Sequence, residues 1–277
     1  MIQRPAIIEW REHAPWPSND QIEHDLVLSR AICELYQHPL IQEQLAFRGG
    51  TALHKLFISP AGRFSEDLDF VQVKASPIGD LTQAIRSCLD PWLGAPSWKQ
   101  NHGRFTFNYS FKTEFEPVVK RKVKVEINTR EHFHTQAYIQ KPIQVDSMWY
   151  QGTAKVLTYG LEELMGTKLR ALYQRKKGRD LYDFWCVLRQ YPDLDISELL
   201  KAYQIYMEFV GGVASRAEFE KNLNQKQSDH TFNEDVLVLL PPDLESEYDV
   251  HQVFNLIQKK IIEKLPGEPW KGINESI

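Results

Sequence analysis

Ala46-Phe47-Arg48-Gly49-Gly50-Thr51-Ala52-Leu53-His54-Lys55-Leu56 changes character in its middle. Ala46 to Arg48 reads as a short strand, two glycines break it, and Leu53, Leu56 and Phe57 then recur at helical spacing until Pro60 and Gly62 end the helix. The stretch therefore predicts a strand that passes through a glycine turn directly into a helix. Glycine lacks Cβ, so the backbone can turn tightly there and a ligand can come close. A helix start also directs free N–H groups and the positive end of the helix dipole outward, which is where phosphate binds. Thr51 adds a hydroxyl at that spot. The plainer alternative is an ordinary strand-to-helix turn capped by threonine.

Downstream, Asp67-Leu68-Asp69-Phe70-Val71 alternates polar and apolar residues, the mark of a half-buried strand. Residues i and i+2 of a strand share a face, so Asp67 and Asp69 stand side by side. Two carboxylates so placed repel and call for a cation. Mg²⁺ suits them, because it takes oxygen ligands from one or two carboxylates and from substrate phosphates. The alternative is two exposed acids at a strand edge, paired with Arg63. Arg104–Lys112 and Lys120–Asn128 alternate again. In the second of these, Val123, Val125 and Ile127 take one face while Lys122, Lys124 and Glu126 take the other. If that strand lies beside the one carrying Asp67 and Asp69, Glu126 completes a carboxylate triad. Otherwise it pairs with a neighbouring lysine on the solvent side.

Upstream, Asp20 reads as a helix cap, and residues 21–45 as one or two amphipathic helices interrupted at Pro39. Residues 80–89 read as helix and residues 144–149 as a further strand. From about Leu157 the character shifts. Leu161, Leu164, Met165, Leu169 and Leu172 mark one helix, and Leu181, Phe184, Trp185 and Leu188 a second. Ile196–Phe209 and residues 250–265 follow in the same style. Lys168 falls on the apolar stripe of its helix, so its ammonium must find an anion, lose its proton or reach out to water. A phosphate is one such anion. Asp180 and Asp183 open the next helix at i, i+3. They read as a cap with its acidic partner, as a partner for Arg179, or as functional acids. The order of elements predicts α+β organisation, with a mixed-sheet α/β core and N-terminal helices over residues 1–155 and a helical region over residues 156–277.

The chain has 277 residues, 42% hydrophobic and 25% charged, which excludes disordered and fibrous classes. No apolar run approaches the ~20 residues of a membrane helix. The start, Met1-Ile2-Gln3-Arg4-Pro5, lacks the apolar stretch of a secretory signal. Cys33, Cys88 and Cys186 are odd in number and widely spaced, which fits reduced thiols. A soluble, cytoplasmic protein without a membrane partner is expected. The net charge of −4 hides two basic runs, Lys120-Arg121-Lys122-Val123-Lys124 and Arg175-Lys176-Lys177-Gly178-Arg179. They read either as solvated faces or as guides for a nucleic-acid backbone. In the second reading Lys120, Arg121, Lys124, Arg175, Lys176 and Lys177 are the binding residues.

Phe47-Arg48-Gly49-Gly50-Thr51-Ala52-Leu53-His54-Lys55-Leu56, followed by Arg63-Phe64-Ser65-Glu66-Asp67-Leu68-Asp69-Phe70, resembles the paired signature of the AbiEii/AbiGii nucleotidyltransferase-like toxins of type IV toxin–antitoxin and phage abortive-infection systems. Glu163-Leu164-Met165-Gly166-Thr167-Lys168-Leu169 and Gly178-Arg179-Asp180-Leu181-Tyr182-Asp183-Phe184-Trp185 resemble that family's remaining motifs, in the family's order. Serine is frequent in the family's glycine turn, and here Thr51 supplies the hydroxyl. The resemblance implies a polymerase β-like nucleotidyltransferase core, with the helical region completing the active site. It implies that Gly49, Gly50, Thr51, Arg63, Ser65 and Lys168 bind the nucleotide and that Asp67 and Asp69 bind Mg²⁺. Lys168 and Asp183 join the two acids as catalytic residues, and Glu126 matches the third metal carboxylate by strand position alone. The implied activity is transfer of a nucleotide from an NTP to an RNA 3′ end, with tRNA the expected acceptor and an antitoxin the expected protein partner. Transfer to a protein hydroxyl, or nucleotide binding without catalysis, would use the same residues.

Overall fold

The period change at Arg48 is realised as a strand end meeting a helix start. The computed structural model describes residues 2–272, so Met1 and residues 273–277 lie outside the described residues. The chain splits into two compact units, Met1–Gly160 and Leu161–Ile277. In the first, α1 (Arg4–Trp10), α2 (Asn19–Leu35) and α3 (Pro39–Gln44) precede β1 (Leu45–Arg48) and α4 (Gly49–Leu56). There follow β2 (Asp67–Gln72), α5 (Gly79–Leu93), β3 (Ser97–Asn101), β4 (Arg104–Lys112), β5 (Lys120–Asn128), β6 (Ile139–Asp146) and β7 (Gln151–Thr158). The strands form one mixed sheet in the order β3-β4-β5-β2-β1-β7-β6. β2 runs antiparallel to β1 and parallel to β5, and β1 runs parallel to β7. The fold is α+β, as the order of elements predicts.

Strand alternation gives this sheet two unlike faces. On one, Phe47, Leu68, Phe70, Phe107, Tyr109, Val123, Val125 and Ile127 are all buried. α2 and α5 cover it. His24 of α2 meets the rings of Phe64 and Phe111 edge-on, Tyr36 lies against Phe70, and the Tyr109 hydroxyl donates to Asp90 of α5 at 2.8 Å. Each such large apolar side chain contributes about 1.5–3 kcal/mol on burial, so this face anchors the unit. The other face carries the charges described below.

One buried carboxylate ties the N-terminal helices to the core. Asp25 of α2 accepts from Trp10 Nε1 at 2.8 Å, from Trp16 Nε1 at 3.1 Å and from Lys55 Nζ of α4 at 2.6 Å. α2 begins at a capping box of Ser18 and Gln21, so Asp20 lies in the first turn and the cap expected of it belongs to Ser18. The strand expected over residues 144–149 runs earlier, as β6, and Pro142 is tolerated in it because β6 is an edge strand.

The second unit is helical among its described residues: α6 (Leu161–Gln174), α7 (Gly178–Gln190), α8 (Ile196–Phe209), α9 (Arg216–Gln227), α10 (His230–Glu234), α11 (Pro242–Glu247) and α12 (Val250–Lys260). α6 and α8 approach closely at Gly166, where a Cβ would stand 2.7 Å from that of Ala202 and 2.8 Å from the Leu199 carbonyl. Lys226 of α9 donates to the Leu172 and Tyr173 carbonyls at the end of α6, a site where a cation offsets the helix dipole. Among the described residues, no helix is long and apolar enough to cross a membrane. All three cysteines are free thiols.

Candidate active site

The glycine turn makes room for this chain's own side chains. Gly49 opens α4 at φ 81°, a conformation that favours glycine. A Cβ on Gly49 would stand 2.7 Å from Asp69 Oδ2, and one on Gly50 would overlap the Arg63 guanidinium. Thr51 is only 3% exposed, and its hydroxyl donates to the Asp67 carbonyl at 2.5 Å, strapping α4 to β2. Arg63 is buried as well, with Nη1 donating to the Phe64 carbonyl and to Ser65 Oγ, each at 3.1 Å. Gly49, Gly50, Thr51, Arg63 and Ser65 thus gather around the entry to β2. The threonine proton goes to the backbone, and the outward groups are the N–H donors of α4, whose N-cap residue Arg48 makes no side-chain cap.

The parallel pairing of β2 with β5 sets Asp67 opposite Lys124 and Asp69 opposite Glu126. Glu126 therefore shares a face with the acidic pair, as a triad requires. Lys124 Nζ stands 2.9 Å from Asp67 Oδ2 and 3.7 Å from Glu126 Oε2, and Arg104 Nε stands 3.2 Å from Glu126 Oε1. Arg48 is opposite Asp69 on β1 and reaches Glu131 at 2.5 Å. Burial, Asp67 and Glu126 all push the Asp69 carboxyl upward, while Lys124 and Arg48 pull it back. Burial disfavours the Lys124 ammonium, but Asp67, Asp69 and Glu126 outweigh it and raise its pKa. Both sequence readings of Glu126 coexist here, since the three acids share a face and a lysine sits among them. Arg48 and Arg104 were not singled out in the sequence; their strand parity identifies them only once the register is known.

Among the described residues, no three His, Cys, Asp or Glu side chains are gathered tightly enough to form a ready metal cage. The donors nonetheless fit Mg²⁺. Asp67 and Asp69 offer hard carboxylate oxygens, Asp67 is 40% exposed, and Mg²⁺ normally completes its shell with water and phosphate. Lys124 is the cation that now answers their charge.

The second acidic cluster lies within the helical unit. Lys168 of α6 is 7% exposed, with Nζ 3.2 Å from Asp180 Oδ1 and 2.7 Å from Asp183 Oδ2 on α7. Arg175 adds a bidentate pair to Asp180, at 2.7 and 2.8 Å. Both aspartates are fully buried. Lys177 holds the N-cap position of α7 without a side-chain cap bond, so Asp180 sits inside the first turn and is not the cap. Burial works against the Asp180 carboxylate, but Lys168 and Arg175 outweigh it and hold its pKa low. The anion that Lys168 needs is thus supplied by its own unit.

Most of the two basic runs is likewise paired. Arg121 faces Asp20 and Glu66, Lys176 faces Asp229, and Lys177 stands 3.2 Å from Asp235. Lys124 and Arg175 belong to the two clusters, which leaves Lys120, Lys122 and Arg179 without an ion pair among the described residues, the two lysines exposed.

Residues 30–255, most of the chain, match the family of nucleotidyl transferase AbiEii toxins of type IV toxin–antitoxin systems. The chain belongs to the AbiEii family. Its chemistry is accordingly of the nucleotidyl-transfer class, and a nucleotide substrate and a cognate antitoxin are implied. Two solved structures share the fold of this AbiEii protein. MenT4, a nucleotidyltransferase toxin from Mycobacterium tuberculosis, is 16% identical over 96% of this chain and 91% of its own, with a TM-score of 0.62. JHP933 from Helicobacter pylori is 18% identical over 89% of this chain and 95% of its own, with a TM-score of 0.56. Among curated proteins, none matches in sequence.

Proposed function

We propose that this AbiEii protein transfers a nucleotide from an NTP to an RNA 3′ end, with tRNA the expected acceptor and Mg²⁺ held by Asp67 and Asp69. The observation that carries the reading is the β2–β5 register, which sets Asp69 beside Glu126 and a cation beside Asp67. A pure binding module has little use for acids assembled against their mutual repulsion. Bound there, Mg²⁺ would supply Lewis-acid activation of the acceptor hydroxyl and charge neutralisation for the leaving pyrophosphate. Lys124 and the divalent ion compete for the same carboxylates. The uncapped start of α4 offers its N–H groups to the triphosphate. The ribose hydroxyl attacks the α-phosphorus; the new O–P bond forms as the α–β bridge breaks and pyrophosphate departs, and the hydroxyl proton passes to water. The protein's share is positioning and charge compensation. In this reading Lys168 and Asp183 act by clamping α6 to α7.

The test is incubation with each labelled NTP, Mg²⁺ and total RNA, resolved on a gel. Wild type labels RNA, chelation of the metal stops it, and Asp69→Asn lowers it by about 100-fold or more while keeping its circular dichroism. Wild-type labelling by Asp69→Asn would remove the acids from the mechanism. Label that resists RNase and migrates with protein moves the acceptor to a protein hydroxyl.

A further inference from the structure

The acid-bearing face does not end at Glu126. The strand registers set Lys99 opposite Thr106, Thr106 opposite Glu126, and Lys112 opposite Lys120. By alternation, Lys99, Arg104, Lys112, Lys120 and Lys122 therefore share the face of Glu126. All five are exposed, and β3 and β4 contain no acidic residue. Arg104 reaches Glu126. Lys112, Lys120 and Lys122 make no ion pair among the described residues, in contrast to Arg121, Lys176 and Lys177. Like charges set directly across a strand pair repel. The apolar packing of these strands is done from the opposite face, so the fold itself does not need these lysines. A bound polyanion would offset their repulsion.

The geometry also gives a direction. The glycine turn and the start of α4 lie on the β1 side of Asp67 and Asp69, and the lysines lie on the β4 side. With NTP phosphates at the turn, the acceptor approaches across β5 and β4. At ~3.3 Å of rise per residue, Lys122 is about 7 Å and Lys120 about 13 Å along β5 from Lys124, a run of positive charge leading away from the acids. We infer that the open face of β3, β4 and β5 is the track for the phosphate backbone of the RNA acceptor, with Lys112, Lys120 and Lys122 as its main contacts. The inference rests on the RNA-acceptor reading above and adds the surface to it.

The experiment measures binding of a fluorescein-labelled single-stranded RNA by anisotropy between 50 and 200 mM salt, as set by the usual working range. The combined variant Lys112→Gln, Lys120→Gln, Lys122→Gln should bind about tenfold or more weakly at low salt, with a log–log salt slope shallower by about 2, at ~0.7 per phosphate contact. Its affinity for a non-hydrolysable NTP should match wild type, and its thermal midpoint should not fall. Replacing the same three lysines with arginine should keep RNA binding. If the glutamine variant binds RNA with wild-type affinity and slope while wild type still labels RNA, the track is wrong and the proposed function stands. If wild type neither binds nor labels RNA, both fall together.

Discussion

The sheet and the helical unit each hold a lysine among aspartates, and the two clusters differ in one respect that governs their use. On the sheet, Lys124, Asp67 and Glu126 keep side-chain exposures of 34%, 40% and 21%. In the helices, Lys168 keeps 8% and Asp180 and Asp183 keep none. Exposed pairs are worth little, because water solvates either partner when the other leaves. Buried pairs behave otherwise, since removing one partner strands a charge in a medium that cannot solvate it. The sheet lysine can therefore give way to an incoming ion, while the helical lysine is held in place. Similar residues make a loading site in one setting and a clamp in the other.

The largest test of that contrast is stability. Lys168→Ala should lose about 3–5 kcal/mol in urea denaturation, whereas Lys124→Ala should lose at most about 1 kcal/mol. Equal losses would break the comparison.

Acid should separate the units next. His24 of α2 is 1% exposed, and neither ring nitrogen has a hydrogen-bond partner. Burial lowers its pKa from 6.5 to about 4, with Asp25 and Asp67 raising it and Lys55 lowering it. The folded chain keeps this imidazole neutral and the unfolded chain protonates it, so the His24 contribution to the sheet unit's stability falls as pH drops from 6.5 toward 4, by about 3 kcal/mol over the window. The raised carboxyls of Asp69 and Glu23 oppose it, because they favour the folded state in acid. The Asp180 carboxyl is held below its usual 3.8, so its stabilisation is present above that value and is lost only at lower pH. Amide-exchange free energies resolved by unit should show the sheet loosening first, and His24→Leu should flatten the slope. Loosening of both units together would contradict the assignment.

The smallest effect concerns the ion itself. Lys124→Ala should bind Mn²⁺ or Mg²⁺ about tenfold more tightly in calorimetry, the worth of one partly screened ion pair. Unchanged affinity would mean that the lysine does not compete.

Legibility in the sequence followed how each side chain meets water. β4 and β5 were readable to the residue because one face is apolar and the other polar. β3 was not, since all five of its residues are exposed and no alternation arises. α9 was missed because Phe219, Leu223 and Lys226 are its only buried residues, too thin an apolar stripe to see. In the candidate site, the side-by-side acids followed from spacing, but their register against Glu126 depends on a parallel pairing between strands far apart in the chain. The place of Lys168 on an apolar stripe leaves open an anion, a lost proton or a reach to water, and in the structure it meets Asp180 and Asp183. Which anion it takes is decided by packing between α6 and α7, which periodicity does not encode.

Gly49 and Gly50 carry no functional group, yet Asp69 and Arg63 occupy the space where their side chains would be. In a mutational scan, codon 49 should therefore tolerate as little as the codons for the acids, because a single added methyl there meets both a positive φ and the Asp69 carboxylate, while codon 50 should yield only as far as Arg63 can move aside.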